Sequence, residues 1–258
     1  MICAGIDAGS RAIKLALFDH QHGRVAGLGL ADQSVDQTQL AEALFERTLG
    51  EAGLKRAQVQ RIVATGYGRN RIPWADTTIT EITCHARGVH QMAPEARSVV
   101  EIGGQDSKII RLEEGGRVRD FAMNDRCAAG TGCFLEMLAR RLQLELGALD
   151  ELGRQSAQPA PISSTCVVFA ETEIIGLLAD GAAPADIVAG VQRSIAARVA
   201  GMAGRALEEP VFFTGGVALL PGMARALADQ LGCPIRIPDR PQYTGAVGAA
   251  ILAGRHAA

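Results

Sequence analysis

Two short glycine- and acid-rich turns, each set between strands, constrain this chain more than any other feature. Residues 2–6 and 12–18 read as strands joined by Asp7-Ala-Gly-Ser-Arg11. A turn at Asp19–Gly23 and a third strand near 24–30 follow. The order then returns. Ser98-Val-Val-Glu-Ile102 leads into Gly103-Gly-Gln-Asp-Ser107, and Lys108-Ile-Ile-Arg-Leu112 leads out. Glu113-Glu-Gly-Gly116 makes a tight turn and Arg117–Phe121 pairs back. Ile6 and Ile102 lie 96 residues apart, a lobe-sized period that points to internal duplication. A chain of 258 residues accommodates two lobes with a cleft between them. The expected class is α/β, with residues 1–97 as the first lobe, completed by a C-terminal helix at 243–258, and residues 98–242 as the second.

Helical spacing of Leu40, Leu44, Thr48 and Ala52 predicts a helix over 37–52, stopped by Gly53. Ile62-Val-Ala-Thr65 is a short buried strand running into a glycine turn, and Glu81–Met92 a helix ended before Pro94. The second half is richer in helices, expected at 132–145, 167–180, 184–207 and 221–232. Strands are expected at Val211–Thr214 and Ile235–Ile237. A helix rich in small residues follows Tyr243.

The turns suit a triphosphate. Its oxygens need many short donors, and glycine lets backbone N–H groups approach closely. In Gly5-Ile-Asp-Ala-Gly-Ser10 the turn amides and the Ser10 hydroxyl can hold terminal phosphates. Asp7 suits a hydrated Mg²⁺, which takes a carboxylate and keeps its waters. Lys14 reaches the phosphates as a point charge. From the other side Gly103–Ser107 can grip the same phosphates, with Gln105 or Asp106 orienting the attacking water or the metal shell. One such hairpin is weak evidence, because structural β-turns use the same residues. Two of them, with Thr214-Gly215-Gly216-Val217 after a strand to lie against an adenosine, point to ATP.

Composition narrows the class further. Net charge is −2 and aromatics are 4% of residues, so nothing suggests a nucleic-acid surface. No apolar run reaches the roughly 18–20 residues of a membrane span, and the N-terminus lacks a signal-peptide pattern. The expected compartment is cytoplasmic, with reduced thiols. Six cysteines therefore need explaining as thiols, and no Cys-x-x-Cys pair points to a zinc ribbon or a thioredoxin-like site. The five histidines show no metal-ligand spacing and read as solvated. Cys127 and Cys166 each stand at or just before a helix start, where the helix dipole favours a thiolate and anionic neighbours. A cubane cluster takes four thiolates, so one chain could supply half and a two-fold dimer the whole. The residues alone leave that reading beside the ordinary one of buried, inert thiols.

The two phosphate turns, the Gly215-Gly216 pair and the late Gly245–Ala250 helix resemble the ATPase superfamily of actin, hexokinase and the heat-shock chaperones. That resemblance implies two ribonuclease-H-like lobes with the nucleotide in the cleft between them. More specific segments are Asn124-Asp-Arg-Cys127-Ala-Ala-Gly-Thr-Gly132, Ile162-Ser-Ser-Thr-Cys166, Ala64-Thr-Gly-Tyr-Gly-Arg-Asn70 and Tyr243-Thr-Gly-Ala246. They resemble, end to end, the activator (component A) family of 2-hydroxyacyl-CoA dehydratases, which includes benzoyl-CoA reductase ATPase subunits (the BadF/BadG/BcrA/BcrD ATPases). The resemblance implies a homodimer with one bridging 4Fe–4S cluster on Cys127 and Cys166 of each subunit. It implies a ferredoxin or flavodoxin electron donor and a dehydratase or reductase acceptor. It also implies ATP with Mg²⁺, with Asp7, Gln105 and Asp106 as catalytic residues. The expected nucleotide contacts are Gly9, Ser10, Arg11, Ala12, Ile13, Lys14, Gly103, Gly104, Gln105, Gly130, Thr131, Gly215, Gly216, Val217 and Gln242.

Cys133 departs from the family pattern and reads as a first-turn helix residue, though it could exchange as a ligand. Cys3 and Cys233 fit buried strand positions, and Cys84 reads as packing. Arg140-Arg141 reads as a wet helix face, and Glu171 and Glu173 as ordinary charges early in a helix. Thr65–Arg69 is open between a nucleotide contact and a dimer contact. Two rivals share the fold: a small-molecule (sugar) kinase, which would need a catalytic Asp beside a sugar site, and a non-enzymatic ATP switch.

Overall fold

The computed structural model describes residues 1–163 and 166–255. Its chain divides into two compact units. The first comprises Met1–Val99, Ile110–Asp120 and the stretch from Pro238 onward; the second comprises Val100–Ile109 and Phe121–Ile237.

The strands of the first unit's sheet are β1 (Ile2–Ala8), β2 (Ala12–Asp19), β3 (Arg24–Asp32), β4 (Val59–Thr65) and β5 (Thr77–Thr78), in the order β3-β2-β1-β4-β5. β1 is antiparallel to β2, with Asp7 opposite Lys14, and parallel to β4. Alternation along the strands explains the layers. Ala4, Ile6 and Ala8 of β1 join Ile13, Leu15 and Leu17 of β2 against Ala41, Leu44, Phe45 and Leu49 of helix α1 (Gln37–Glu51). The opposite face, including Cys3, Ala16, Phe18 and Val63, packs on helices α2 (Glu81–Met92) and α8 (Thr244–Arg255). Asp36 caps α1 by accepting from the Gln39 N–H, and Thr80 caps α2.

Close approach of α8 is built into three glycines. A Cβ at Gly5 would collide with the Ala246 carbonyl, one at Gly88 with the Thr244 carbonyl, and one at Gly248 with the Cys84 carbonyl. Gly5, expected as part of the phosphate turn, thus lies inside β1 and lets the helix reach the sheet. Backbone cannot yield as a flexible side chain does, so Gly248→Ala is expected to cost about 1–3 kcal/mol or more. At about 2–4 °C per kcal/mol for a chain of this size, the melting temperature should fall by roughly 2–12 °C. A melting curve unchanged within a degree would contradict this packing.

The second sheet contains β6 (Ser98–Ile102), β7 (Ser107–Leu112), β8 (Val118–Asn124), β9 (Val211–Thr214) and β10 (Ile235–Arg236), in the order β10-β9-β6-β7-β8. Helices α3 (Gly132–Leu142), α4 (Ala148–Arg154), α5 (Val167–Ala179), α6 (Pro184–Ala203) and α7 (Pro221–Leu231) accompany it. Val100, Ile102, Ile109, Phe134, Leu138, Val191, Ile195 and Phe213 are among the residues of one shared core. The expected α/β class with two similar sheet-centred halves is therefore observed.

The local differences have local causes. Helix 132–145 stops at Leu142 because Gln143 adopts the left-handed conformation (φ 56°), and α4 follows as a separate helix. Helix 184–207 stops at Ala203, where Gly204 takes φ +63°. Strand β5 is only two residues long and carries no readable pattern. Cys3 is in a buried strand as expected, but Cys233 lies in the partly buried turn after α7 and not in β10.

Candidate functional site

In the first unit the turn Gly9-Ser10-Arg11 joins β1 to β2. Strand pairing carries Asp7 and Lys14 to its mouth, with Lys14 Nζ 3.5 Å from Asp7 Oδ2. A Cβ at Gly9 would stand 2.8 Å from that Nζ, so the lysine lies directly over the turn. The Lys14 side chain keeps 18% of its surface exposed, while Asp7 is almost fully buried. Arg11 is exposed, Gly9, Ser10 and Ala12 are half-buried, and Ile13 is in the core, so only the backbone of Ile13 can face a ligand. The Gln33 side-chain amide donates to the Gly9 carbonyl at 2.8 Å, and the Gly68 N–H donates to the Ala8 carbonyl at 2.8 Å. The Thr65–Arg69 segment therefore braces the turn from behind.

His85 corrects the reading of all histidines as solvated. It is buried, its Nδ1 is 2.8 Å from Thr244 Oγ1, and its ring lies beside Gly245 with the Asp7 carboxylate. The sequence signal was available, since His85 falls on the buried face of α2 with Cys84 and Val89. Burial pushes the neighbouring Cys84 thiol up to about 12, so it stays protonated, in keeping with a packing role. Gln242 is half-buried, and its carboxamide oxygen is buried without a protein hydrogen bond.

In the second unit three loops meet. The turn Gly103–Asp106 closes with the Gly103 N–H on the Asp106 carbonyl at 2.9 Å. Its two glycine carbonyls accept from the start of α3: Gly132 N–H to Gly103 O at 2.9 Å and Cys133 N–H to Gly104 O at 2.8 Å. A Cβ at Gly132 would stand 3.0 Å from the Gly103 oxygen and 3.2 Å from Val217. The third loop is Gly215–Val217, where Gly215 takes φ +90° and lies against Glu101 and the Ile102 carbonyl. Gly216 and Gln105 are exposed, while Gly103 and Gly104 are half-buried. Gly130 and Thr131 are buried, and the Thr131 hydroxyl donates to the Ala128 carbonyl at 2.8 Å.

Beneath the turn lies an ion cluster of which the sequence pointed to Asp106 alone and not to Glu101 or Lys108. Lys108 Nζ is 2.7 Å from Glu101 Oε2 and 2.6 Å from Asp106 Oδ2. Glu101 and Lys108 stand seven residues apart, as Asp7 and Lys14 do, and 94 residues after them. The repeated acid–lysine pair places the duplication two residues off the spacing taken from Ile6 and Ile102.

Cys127 is exposed and precedes a short 3₁₀ turn, Ala128–Gly130; its N–H donates to Asn124 Oδ1 at 3.0 Å. Cys166 is half-buried and is the N-cap of α5. Cys133, also half-buried, is the second residue of α3, as expected. Arg140 and Arg141 lie on an exposed face of α3 as expected, with Arg141 paired to Glu171, and Glu173 accepts from the Ser163 N–H and hydroxyl. Among the described residues no three His, Cys, Asp or Glu side chains cluster as a metal site. Two thiols per chain match half the donor set of a cubane.

The model of the BadF/BadG/BcrA/BcrD ATPase family matches residues 4–253. The chain belongs to this family. It is 41% identical over 254 residues to the 2-hydroxyisocaproyl-CoA dehydratase activator of Clostridioides difficile, covering 98% of this chain and 95% of the relative. It is also 41% identical over 256 residues to the (R)-2-hydroxyglutaryl-CoA dehydratase activating ATPase of Acidaminococcus fermentans, covering 98% and 97%. The solved activator of the 2-hydroxyisocaproyl-CoA dehydratase from Clostridium difficile with bound ADPNP superimposes with a TM-score of 0.94. It has 39% identity and covers all of this chain and 96% of that one. Membership places the chain in an ATPase family, and the relatives named here are activators of dehydratases. No helix among the described residues is long and apolar enough to cross a membrane.

Proposed function

We propose that this protein is an ATP-dependent electron-transfer activator of a 2-hydroxyacyl-CoA dehydratase or a related reductase. The observation that carries the proposal is the pair of hydrogen bonds from Gly132 and Cys133 to the Gly103 and Gly104 carbonyls. They join a phosphate-type turn to the helix that follows the Cys127 loop. A change at the turn on nucleotide binding or hydrolysis is thus passed to that loop through rigid backbone. ATP can bias such a two-state element only by binding one arrangement more tightly than the other.

ATP and Mg²⁺ are the ligands of the turns. The amides of Gly9 and Ser10 and the Lys14 ammonium meet phosphate oxygens, and Asp7 holds a water of the Mg²⁺ shell. In the second unit the turn at Gly103 and Gly104 also binds phosphate, and Gln105 or Asp106 orients the attacking water. The exposed Gly216 and the neighbouring Val217 lie against the adenosine, and the unpartnered Gln242 oxygen accepts from the nucleotide. Cys127 and Cys166 of two subunits hold a 4Fe–4S cluster, which when bound supplies one-electron transfer. The N-terminus of α5 at Cys166 favours an anionic group there. Support for a dimer comes from α5 itself, whose Val168, Phe169 and Ile175 are 69%, 68% and 44% exposed, an apolar face suited to a second copy. A ferredoxin or flavodoxin is the donor.

Anaerobic purification tests the whole reading. The expected product is a brown dimer with four irons and four sulfides per dimer and an ATPase activity. A colourless monomer that stays iron-free after reconstitution and phosphorylates a sugar would overturn it in favour of a kinase.

A further inference from the structure

The two acid–lysine pairs have the same spacing but different surroundings. Lys14 retains exposure and sits over its turn at 3.5 Å from Asp7. Lys108 is 1% exposed and is held at 2.7 Å by Glu101 and 2.6 Å by Asp106. A buried ammonium so placed is not available to a phosphate; its bonds go to two carboxylates. Glu101 is itself buried, and its other oxygen, Oε1, lies 2.6 Å from the position a Cβ at Gly215 would take. Asp106 Oδ1 folds over Gly103 in the same way, so that a Cβ there would collide with it. A continuous path therefore runs from the Gly215 turn through Glu101 and Lys108 to Asp106 and the Gly103 turn, within one unit.

We propose that Lys108 is a positioning residue for ATP hydrolysis, which anchors the Asp106 carboxylate over Gly103 and, through Glu101, ties that turn to the Gly215 turn. Resting on the ATPase reading, this adds two residues, Lys108 and Glu101, that meet neither nucleotide nor metal. Electrostatics gives the reason for a lysine. Two carboxylates this close are mutually destabilising unless a cation stands between them. Charge-assisted bonds to one ammonium also fix the direction of each carboxylate. The duplicated lysine has thus diverged from a ligand-facing cation in the first unit to an internal brace in the second.

The test replaces the buried pair without changing net charge. Lys108→Met alone would strand Glu101 as a buried unpaired charge, whereas exchanging a buried ion pair for apolar residues of similar volume is often neutral. In the Glu101→Met/Lys108→Met variant the net charge is preserved, but Asp106 loses its anchor. Non-hydrolysable ATP analogue binding is measured by calorimetry on the anaerobically purified dimer, and kcat by phosphate release. The expected result is an analogue Kd within threefold of the parent and a kcat at least tenfold lower. A folded variant with kcat within twofold of the parent would overturn the proposal. Should that variant not fold, Glu101→Gln keeps the shape and weakens the brace, and kcat should then fall at least threefold at unchanged Kd; an unchanged kcat overturns the proposal equally. A parent protein that binds no analogue would instead sink the ATPase reading itself.

Discussion

Lys14→Met is expected to reduce ATP hydrolysis by about 10²–10³-fold, the scale seen when one preorganised donor to developing charge is removed. The lysine lies over the Gly9 turn with no Cβ between, and strand pairing places it opposite Asp7. Its ammonium supplies charge that no backbone amide replaces. The variant should still fold, because Lys14 is partly exposed and the core beneath it is made by Ile13 and Leu15. Asp7 does lose its cation, so a lower melting temperature is expected along with the kinetic loss. Phosphate release at saturating ATP and a thermal melt on the same preparation separate the two effects. Hydrolysis within threefold of the parent would remove Lys14 from the phosphate site.

The second large effect is expected at the thiols. Changing both Cys127 and Cys166 to serine should take iron from four per dimer to essentially none, with loss of the brown colour and of electron transfer to the acceptor. Serine is nearly isosteric and neither thiol belongs to the buried core, so each subunit should still fold, while the dimer loses the stabilisation that the bridging cluster supplied. Nucleotide binding should survive, since the α3–turn hydrogen bonds are made by the backbone of Gly132 and Cys133. Cys133→Ser is the companion variant. Its side chain is on the first turn of α3, and it should keep the full iron content. A double variant that retained a complete cluster, or a Cys133 variant that lost it, would reassign the ligands.

How much of this was legible beforehand depended on the range of the signal. The sheets were readable because alternation along β1 and β2 and the apolar runs of β6 and β7 are local. Helix α1 was readable because Leu44 and Thr48 fall on one buried face. The break between α3 and α4 was not, because it turns on one residue, Gln143, adopting φ 56°, which no periodicity announces. Nor was the role of Gly5. In sequence it looks like part of a phosphate turn, and only the packing of α8 onto β1 shows that it is there to admit a helix.

By itself the sequence determined that there would be two glycine–acid turns between strands, a third Gly-Gly after a strand, and two cysteines near helix starts. Those are patterns of neighbours along the chain, and backbone geometry follows from them. Tertiary structure alone decided which of two equally spaced lysines stays near solvent and which is sealed between carboxylates. It decided that His85 lies beside Asp7, since Thr244 comes from 159 residues away. It also decided that the first N–H groups of α3 are spent on the Gly103 and Gly104 carbonyls. The reason is physical: burial and hydrogen-bond partnership are properties of surroundings, and those surroundings come from segments distant in the chain.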